Sequence, residues 1–405
     1  MNRTSTEQST ARPSIPATVW ALGLVSLFMD LSSEIIHALL PLFLTGTLGA
    51  SVAFVGLIDG IAESTASISK VFSGYISDRI GRRKPLILLG YGLGAVSKPF
   101  FAIAGTASVV LGARFADRIG KGIRGAARDA LVADVTPIAI RGRAFGLRQS
   151  LDTVGAFAGP LLAIGLMFAF ANDIRAVFWI AIIPAAVSVL LVVFGVEDKQ
   201  TPTTDRPARP PVRMRDIKRL ERSFWGVVAV GVVFTLARFS EAFLILKASA
   251  EGLPLALAPL VLVAMNIVYA LGAYPAGIWS DRVPPRQLLL WGLACLIGAD
   301  LLLAFSSDII GTFAGIILWG AHMAITQGLM AKLVADHAPE ELRGSAYGLF
   351  NLASGLALLA ASVVAGLLWD HSGSRATFVA GAMFAGLAFL MMALWRNRPA
   401  NAGVG

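Results

Sequence analysis

Asp134-Val-Thr-Pro137-Ile-Ala-Ile-Arg141-Gly142-Arg-Ala-Phe-Gly146-Leu147 returns 202 residues later as Asp336-His-Ala-Pro339-Glu-Glu-Leu-Arg343-Gly344-Ser-Ala-Tyr-Gly348-Leu349. The offset is the same at Asp, Pro, Arg and Gly. A second echo lies upstream, where Gly74-Tyr-Ile-Ser-Asp78-Arg79 is answered by Gly277-Ile-Trp-Ser-Asp281-Arg282 at an offset of 203. The chain is therefore built from two equivalent halves.

The halves are hydrophobic. Of 405 residues, 56% are apolar and only 15% charged, and the mean hydropathy is +0.73. Soluble domains carry nearer a quarter charged residues, and long apolar stretches mark membrane spans. Twelve stretches are long enough to cross a ~30 Å core at 1.5 Å per residue. They are predicted at 18–44, 52–76, 85–105, 108–133, 144–171 and 175–196, then at 223–248, 254–279, 287–306, 309–335, 343–370 and 375–396. The predicted organisation is a tail (1–17), a six-helix half (18–196), a linker (197–222), a second six-helix half (223–396) and a short tail (397–405). Repeated halves in a membrane chain are a common plan of secondary transporters, with the substrate site at the repeat interface.

Cations fall in alternate loops: Arg79, Arg82, Arg83 and Lys84, then Arg141 and Arg143, then seven Lys and Arg between Glu197 and Arg222, then Arg282, Arg286, Arg343, Arg396 and Arg398. The opposite loops (45–51, 105–108, 251–253) hold none. The positive-inside rule thus predicts cytoplasmic termini and a plasma-membrane location, the bacterial inner membrane. The net charge of +9 is topological and does not signal nucleic acid. Asp30 and Glu34 in the first span exclude a cleavable signal peptide. The single cysteine, Cys295, excludes a disulfide and a thiolate metal cluster. The Pro-, Thr- and Arg-rich linker is expected to be a mobile tether.

Gly74-Tyr-Ile-Ser-Asp78-Arg79-Ile-Gly81-Arg82-Arg83-Lys84 resembles the signature loop of the major facilitator superfamily, Gly-x-x-x-Asp-Arg-x-Gly-Arg-Arg. The resemblance implies an all-helical bundle of twelve membrane helices in two pseudo-symmetric halves, working by alternating access and usually as a monomer. It implies a gate in which Asp78 pairs across the half interface and Arg79 and Arg82 hold neighbouring helices. The gate set is Gly74, Asp78, Arg79, Gly81 and Arg82 with Arg141, Asp281, Arg282 and Arg343 from the repeated loops. Gly146, Gly155, Gly159 and Pro160 in the fifth span resemble the glycine-proline motif of the superfamily's exporters, mostly proton antiporters. Small residues permit close helix approach and Pro160 a bend. Ala163-Ile164 stands where that motif ends in Gly-Gly.

The fourth span is unusual for a membrane helix. Arg114, Asp117, Arg118, Lys121, Arg124, Arg128 and Asp129 occupy one arc of roughly 140° on an ideal helix. A charge near the bilayer centre costs at least ~2.5 kcal/mol, so this arc must face water or opposite charge. Partners exist in the same half: Asp30, Glu34 and His37 on one face of the first span, Asp59, Glu63 and Lys70 in the second, Arg148 and Asp152 in the fifth. The second half is poorer, with Arg238, Glu241, Lys247, Asp300 and Lys332.

Two readings follow. In one, these charges are salt bridges that only join helices. In the other, Lys121, Arg124, Arg128, Arg118 and Arg148 bind an anion, and Asp30, Glu34, Asp59 and Glu63 carry or gate protons. Arg suits carboxylate and phosphate through its bidentate fork. The expected activity is proton-coupled efflux of a small organic or phosphorylated anion. The alternative within the class is a multidrug pump in which the acids attract lipophilic cations. A membrane enzyme or a transporter-derived receptor is the alternative outside it, disfavoured by four scattered histidines and an intact gate loop. No nucleotide-binding Gly-x-x-x-x-Gly-Lys-Ser/Thr loop is present, so ATP is not expected to drive the cycle, and no cofactor is expected. Asp30, Glu34 and His37 have metal-ligand chemistry. One helix supplies all three, so a hydrogen-bonding role for His37 near the outer mouth is expected instead of a metal site.

Overall fold

The computed structural model describes residues 14–80, 82–198, 219–326, 328–339 and 342–394. Backbone amides have no water to bond in a bilayer, so helices satisfy them internally, and the described residues contain helices and no strands. The first half holds α1 (Ala17–Leu42), α2 (Val52–Ile80), α3 (Lys84–Ile103), α4 (Ala107–Val135), α5 (Arg141–Ala169) and α6 (Ile174–Gly195). The second holds α7 (Arg222–Ala237), α8 (Ala242–Ala250), α9 (Leu260–Arg282), α10 (Pro285–Phe305), α11 (Ile309–Thr326), α12 (Leu329–His337), α13 (Arg343–Ser372) and α14 (Ser374–Leu394).

Among the described residues eleven segments are long and apolar enough to cross a membrane. The 29-residue α4 is the twelfth by length, and its charges keep it below that hydropathy. Two spans expected to be continuous are broken. The seventh unwinds at 238–241 between α7 and α8, and the tenth divides into α11 and α12. Gly328 opens α12 with φ +76°, a left-handed conformation that glycine adopts without Cβ strain.

Helix ends are closed by specific side chains. Asp173 accepts from the amides of Arg175 (2.9 Å) and Ala176 (3.2 Å) at the start of α6. The Arg175 guanidinium donates to the carbonyls of Ala102 (2.8 Å) and Ala104 (2.7 Å) at the end of α3. Asp198 accepts from the amides of Arg83 (3.0 Å) and Lys84 (2.9 Å), which ties the loop after α2 to the end of α6.

Within the first half α1 packs on α5 and α6, and α4 on α2 and α3; α7 packs likewise on α13 and α14 in the second. Glycines set the α1–α5 approach. An added Cβ at Gly155 would run into the Leu27 carbonyl, and one at Gly159 would lie 2.6 Å from the Glu34 Cβ. Gly146 faces open space, so among these motif glycines only Gly155 and Gly159 sit at a helix crossing. Pro160 lies inside α5 and is buried.

The halves meet chiefly along α2 and α13, and they diverge. A Cβ added at Gly366 would meet the Ala53 Cα at 2.6 Å, and one at Gly60 the Leu359 Cα at 3.0 Å. One at Gly355, further toward the linker, would be 3.6 Å from the Ser64 Cα. At the far end Asp370 of α13 accepts from the amides of Val52 (3.0 Å) and Ala53 (2.8 Å) at the start of α2. Apolar packing follows the same taper. One buried cluster joins Phe43, Val55, Phe101 and Phe178 to Phe243, Leu244, Val261 and Phe378 across the halves. Toward the linker it gives way to two clusters confined to single halves, one around Leu22, Met29 and Tyr91, the other around Phe224, Val227 and Val334. The bundle is closed at its far end and parts toward the linker.

Candidate functional site

Between the halves lies a cavity of about 370 Å³. The first half contributes Glu34 and His37 from α1, Asp59 and Glu63 from α2, and Arg118 and Lys121 from α4. The second contributes Phe234 and Thr235 from α7, the unwound residues Arg238 to Glu241, Asn266 from α9 and Trp319 from α11. Charge arrives from one side, and from the other an aromatic wall with a short polar break. Phe239 stacks at 5.5 Å on Trp319 and on Phe378 and at 5.3 Å on Phe243, which fixes the unwound segment against the second-half core.

The charges divide into layers along α4. Deepest is a closed network. Lys98 donates to Asp117 at 3.0 Å and to Ser33 at 2.9 Å, with Lys98 and Asp117 side chains 1% and 2% exposed. Arg118 reaches Asp117 at 3.7 Å and Glu63 at 3.1 Å. Arg114 lies 3.6 Å from Asp59, whose other oxygen accepts from the Ser240 hydroxyl at 2.7 Å across the half interface. His37 Nδ1 is 3.4 Å from Glu34. Lys98–Asp117 and Arg114–Asp59 are buried pairs in which removing one partner leaves an uncompensated charge, whereas the Glu63 side chain is 42% exposed; Glu34, His37, Asp59, Glu63 and Arg118 are the members that line the cavity.

A second layer lies toward the linker. The Arg124 guanidinium sits 4.8 Å over the Tyr91 ring. Arg128 donates to Ser26 (2.7 Å) and Asp129 (3.2 Å) and approaches Asp152 (3.6 Å). Arg148 approaches Asp129 at 3.7 Å and Asp152 at 3.9 Å.

Of the five cations read as an anion site, the structure thus brings Arg118 and Lys121 to the cavity, while Arg124, Arg128 and Arg148 lie outside its lining. Of the four acids, Glu34, Asp59 and Glu63 line it and Asp30, one turn toward the linker, does not. His37 stands on the cavity wall beside Glu34, not apart at an outer mouth. Among the described residues no group of three His, Cys, Asp or Glu side chains is arranged to hold a metal.

Among the gate residues, Gly81 lies outside the described residues, as do the surroundings of Gly74 and the side chains of Asp78, Arg79 and Asp281. Arg82 and Arg282 are exposed. Arg83 donates to Ser77 at 2.6 Å and reaches Asp134 at 3.4 Å, and Arg141 donates to the Thr136 carbonyl at 3.3 Å. Arg343 begins α13. Residues 1–13, 199–218 and 395–405, which include most of the expected tether and both tails, also lie outside the described residues.

Arg238, Glu241, Asn266 and Trp319 were not legible as site residues. The signal for the first two was present: a cation and an acid three residues apart inside an otherwise apolar span meet the same criterion that singled out α4. What sequence does not show is that the helix unwinds there and turns both toward the first half.

The Major Facilitator Superfamily model matches residues 22–265 and 242–404, and the chain belongs to that family. It is a multi-pass membrane transporter of the secondary type. An uncharacterized MFS-type transporter of Methanocaldococcus jannaschii is 30% identical over 387 residues, 92% of this chain and 94% of the relative. The class C tetracycline resistance protein of Escherichia coli is 30% identical over 305 residues, 69% of this chain and 72% of the relative. Among solved structures the nucleoside transporter NupG superposes with a TM-score of 0.75 at 14% identity, covering 94% of this chain and all of NupG.

Proposed function

We propose that this chain is a proton-coupled exporter of a small solute bearing a carboxylate or phosphate, working by alternating access in the bacterial inner membrane as a monomer with both termini cytoplasmic. The observation that carries the reading is a pair of cations. Lys121 of the first half and Arg238 of the second both line the cavity, and neither has an ion-pair partner among the described residues. An anion bridging them would contact both halves at once. Such a ligand binds the closed-up state better than either open state, which is the differential affinity that drives a conformational cycle.

On this reading the linker end faces the cytoplasm, in keeping with its cationic loops, and the structure is the inward-open state. Arg118 flanks the anion from its pair with Glu63. Proton exchange falls to Glu34, whose ion-pair neighbour on the cavity wall is His37. Asp59 and Glu63 act as gating acids through Arg114, Ser240 and Arg118. Arg124, Arg128, Arg148 and Asp30 serve the linker-side layer that the solute passes on entry. The Gly155 and Gly159 contacts support export through their likeness to the exporter motif.

A second reading has its own support. The aromatic wall of Phe234, Phe239 and Trp319 opposite Glu34 and Glu63 suits a lipophilic cation, and a relative confers tetracycline resistance. One experiment separates the two. The purified chain is melted with di- and tricarboxylates, sugar phosphates and lipophilic cations; a ligand at a hundredfold excess over Kd stabilises by ~2.7 kcal/mol. Stabilisation by an anion that vanishes in Lys121→Ala, with proton release from vesicles that vanishes in Glu34→Gln, establishes the exporter. Stabilisation by lipophilic cations alone makes it a drug pump.

A further inference from the structure

The cavity's charges do not sum to a simple anion site. Glu63, Asp59 and Glu34 are each engaged, by Arg118, by Arg114 with Ser240, and by His37. Among the described residues, Lys121, Arg238 and Glu241 line the cavity without a close ion pair, and Arg238 and Glu241 feel each other's charge only at longer range. Glu241 stands at the start of α8, where a carboxylate would ordinarily be used as a cap. Here it makes no capping bond. The first amides of α8 are taken by Ser240 and by the backbone: Ala242 donates to the Ser240 hydroxyl at 3.1 Å, Phe243 to the Ser240 carbonyl and Leu244 to the Glu241 carbonyl. The Glu241 carboxylate is therefore free of structural duty and lines the same cavity as the two cations. Arg238 is held 5.7 Å over the Phe234 ring, which orients its guanidinium and leaves it in the field of Glu241 with no close ion pair among the described residues.

Resting on the anion-exporter reading, we propose that the transported solute is amphoteric: an ammonium group for Glu241, with a carboxylate or phosphate for Lys121 and Arg238. A solute with only negative groups would meet Glu241 as a desolvated like charge, whereas one carrying an amine turns that repulsion into a charge-assisted hydrogen bond. A lipophilic cation would meet Lys121 and Arg238 in the same unfavourable sense. Asn266, on the second-half wall, adds an amide able to donate and accept toward either group. Glu241 is thus the residue that separates amino acids and phosphorylated amines from carboxylates and phosphates of the same size.

The test uses matched pairs on the full-length purified chain. L-glutamate is compared with glutarate, and phosphoethanolamine with ethyl phosphate, by thermal-shift titration. The expected result is a Kd at least tenfold lower for the amine-bearing member of each pair, a gap that closes in Glu241→Gln and persists in Glu241→Asp. A monodisperse size-exclusion profile for both variants keeps the comparison on folded protein. Equal or tighter binding of glutarate and ethyl phosphate in the unsubstituted chain overturns the amphoteric assignment while leaving the anion reading intact. Stabilisation by tetraphenylphosphonium with none by either pair overturns both.

Discussion

One carboxylate of the far-end closure can be removed without touching the cavity. Asp370, in the last turn of α13, accepts from two amides at the start of α2, at 3.0 and 2.8 Å, and so joins the two halves. A side-chain cap at a helix start contributes ~0.5–2 kcal/mol, and a negative charge at that dipole end a further ~0.3–1 kcal/mol. Asp370 is solvent-exposed, which screens the charge component, so about 1–2 kcal/mol is the sum to expect. Because the bonds exist only while the far end is closed, their loss acts on the closed-to-open ratio, and 1.4 kcal/mol is a tenfold change.

Asp370→Ala should therefore raise the population open at the far end about fivefold to thirtyfold. Asp370→Asn, which keeps an acceptor oxygen but loses the charge, should fall between. The assay is a distance distribution between spin labels at Thr47→Cys and Ser307→Cys, exposed sites at the far ends of opposite halves, in a Cys295→Ser background. Unchanged distributions in Asp370→Ala, with folding intact, would refute the idea that this cap weights the equilibrium. A change in overall melting with no change in distances would refute it as well, since a cross-half latch must act on opening.

Three further outcomes follow from buried charge and close packing. Lys98→Ala or Asp117→Ala should each destabilise by about 3–5 kcal/mol by stranding the partner, while Lys98→Met with Asp117→Leu should recover most of it; melting of a fluorescent fusion reads this directly. Gly155→Val and Gly159→Val should disrupt the α1–α5 crossing, whereas Gly146→Ala, facing open space, should leave melting unchanged or slightly raised; equal effects at all three positions would discard the crossing argument. Asp300 is fully buried, and among the described residues neither of its oxygens has a hydrogen-bond partner; Asp300→Leu, which replaces the unpartnered polar group with an apolar one of similar shape, should raise the melting temperature. A fall would mean that the carboxylate is engaged in a way the structure does not contain.

The two-half plan was readable because repetition and hydropathy are properties of the chain itself. The repeated Asp-Pro-Arg-Gly motif places its second copy 202 residues on whatever the helices pack against. The arc of charge on α4 was also readable, since helical spacing fixes which residues share a face. Its division was not. Lys121 facing a cavity and Arg128 bonded to Ser26 and Asp129 look alike in sequence, being seven residues apart on one face. The packing of α4 against α2 and α3 decides which depth meets the other half and which meets Tyr91. The break at 238–241 was hidden for a different reason: no proline or glycine marks it, and its cause is tertiary. Phe239 is pulled into the cluster with Trp319, Phe243 and Phe378, while Ser240 is held by Asp59.

That last contact shows how a charged interface can open repeatedly without a prohibitive electrostatic cost. Breaking a buried ion pair strands a charge, so pairs such as Lys98–Asp117 belong to a half that moves as one body. Asp59 is an ion-paired acid that also accepts a hydrogen bond from the other half, and its two contacts are unequal in kind. Its cation, Arg114, is in its own half, and only a neutral hydroxyl, Ser240, reaches it from the other. When the far end opens, Asp59 loses the hydroxyl, keeps its counter-ion, and gains water. Ser240→Ala should therefore shift the labelled distances modestly toward the far-end-open state, with a small fall in melting from the lost acceptor for the Ala242 amide. Ser240→Lys should instead lock the far end closed by adding a charge across the interface.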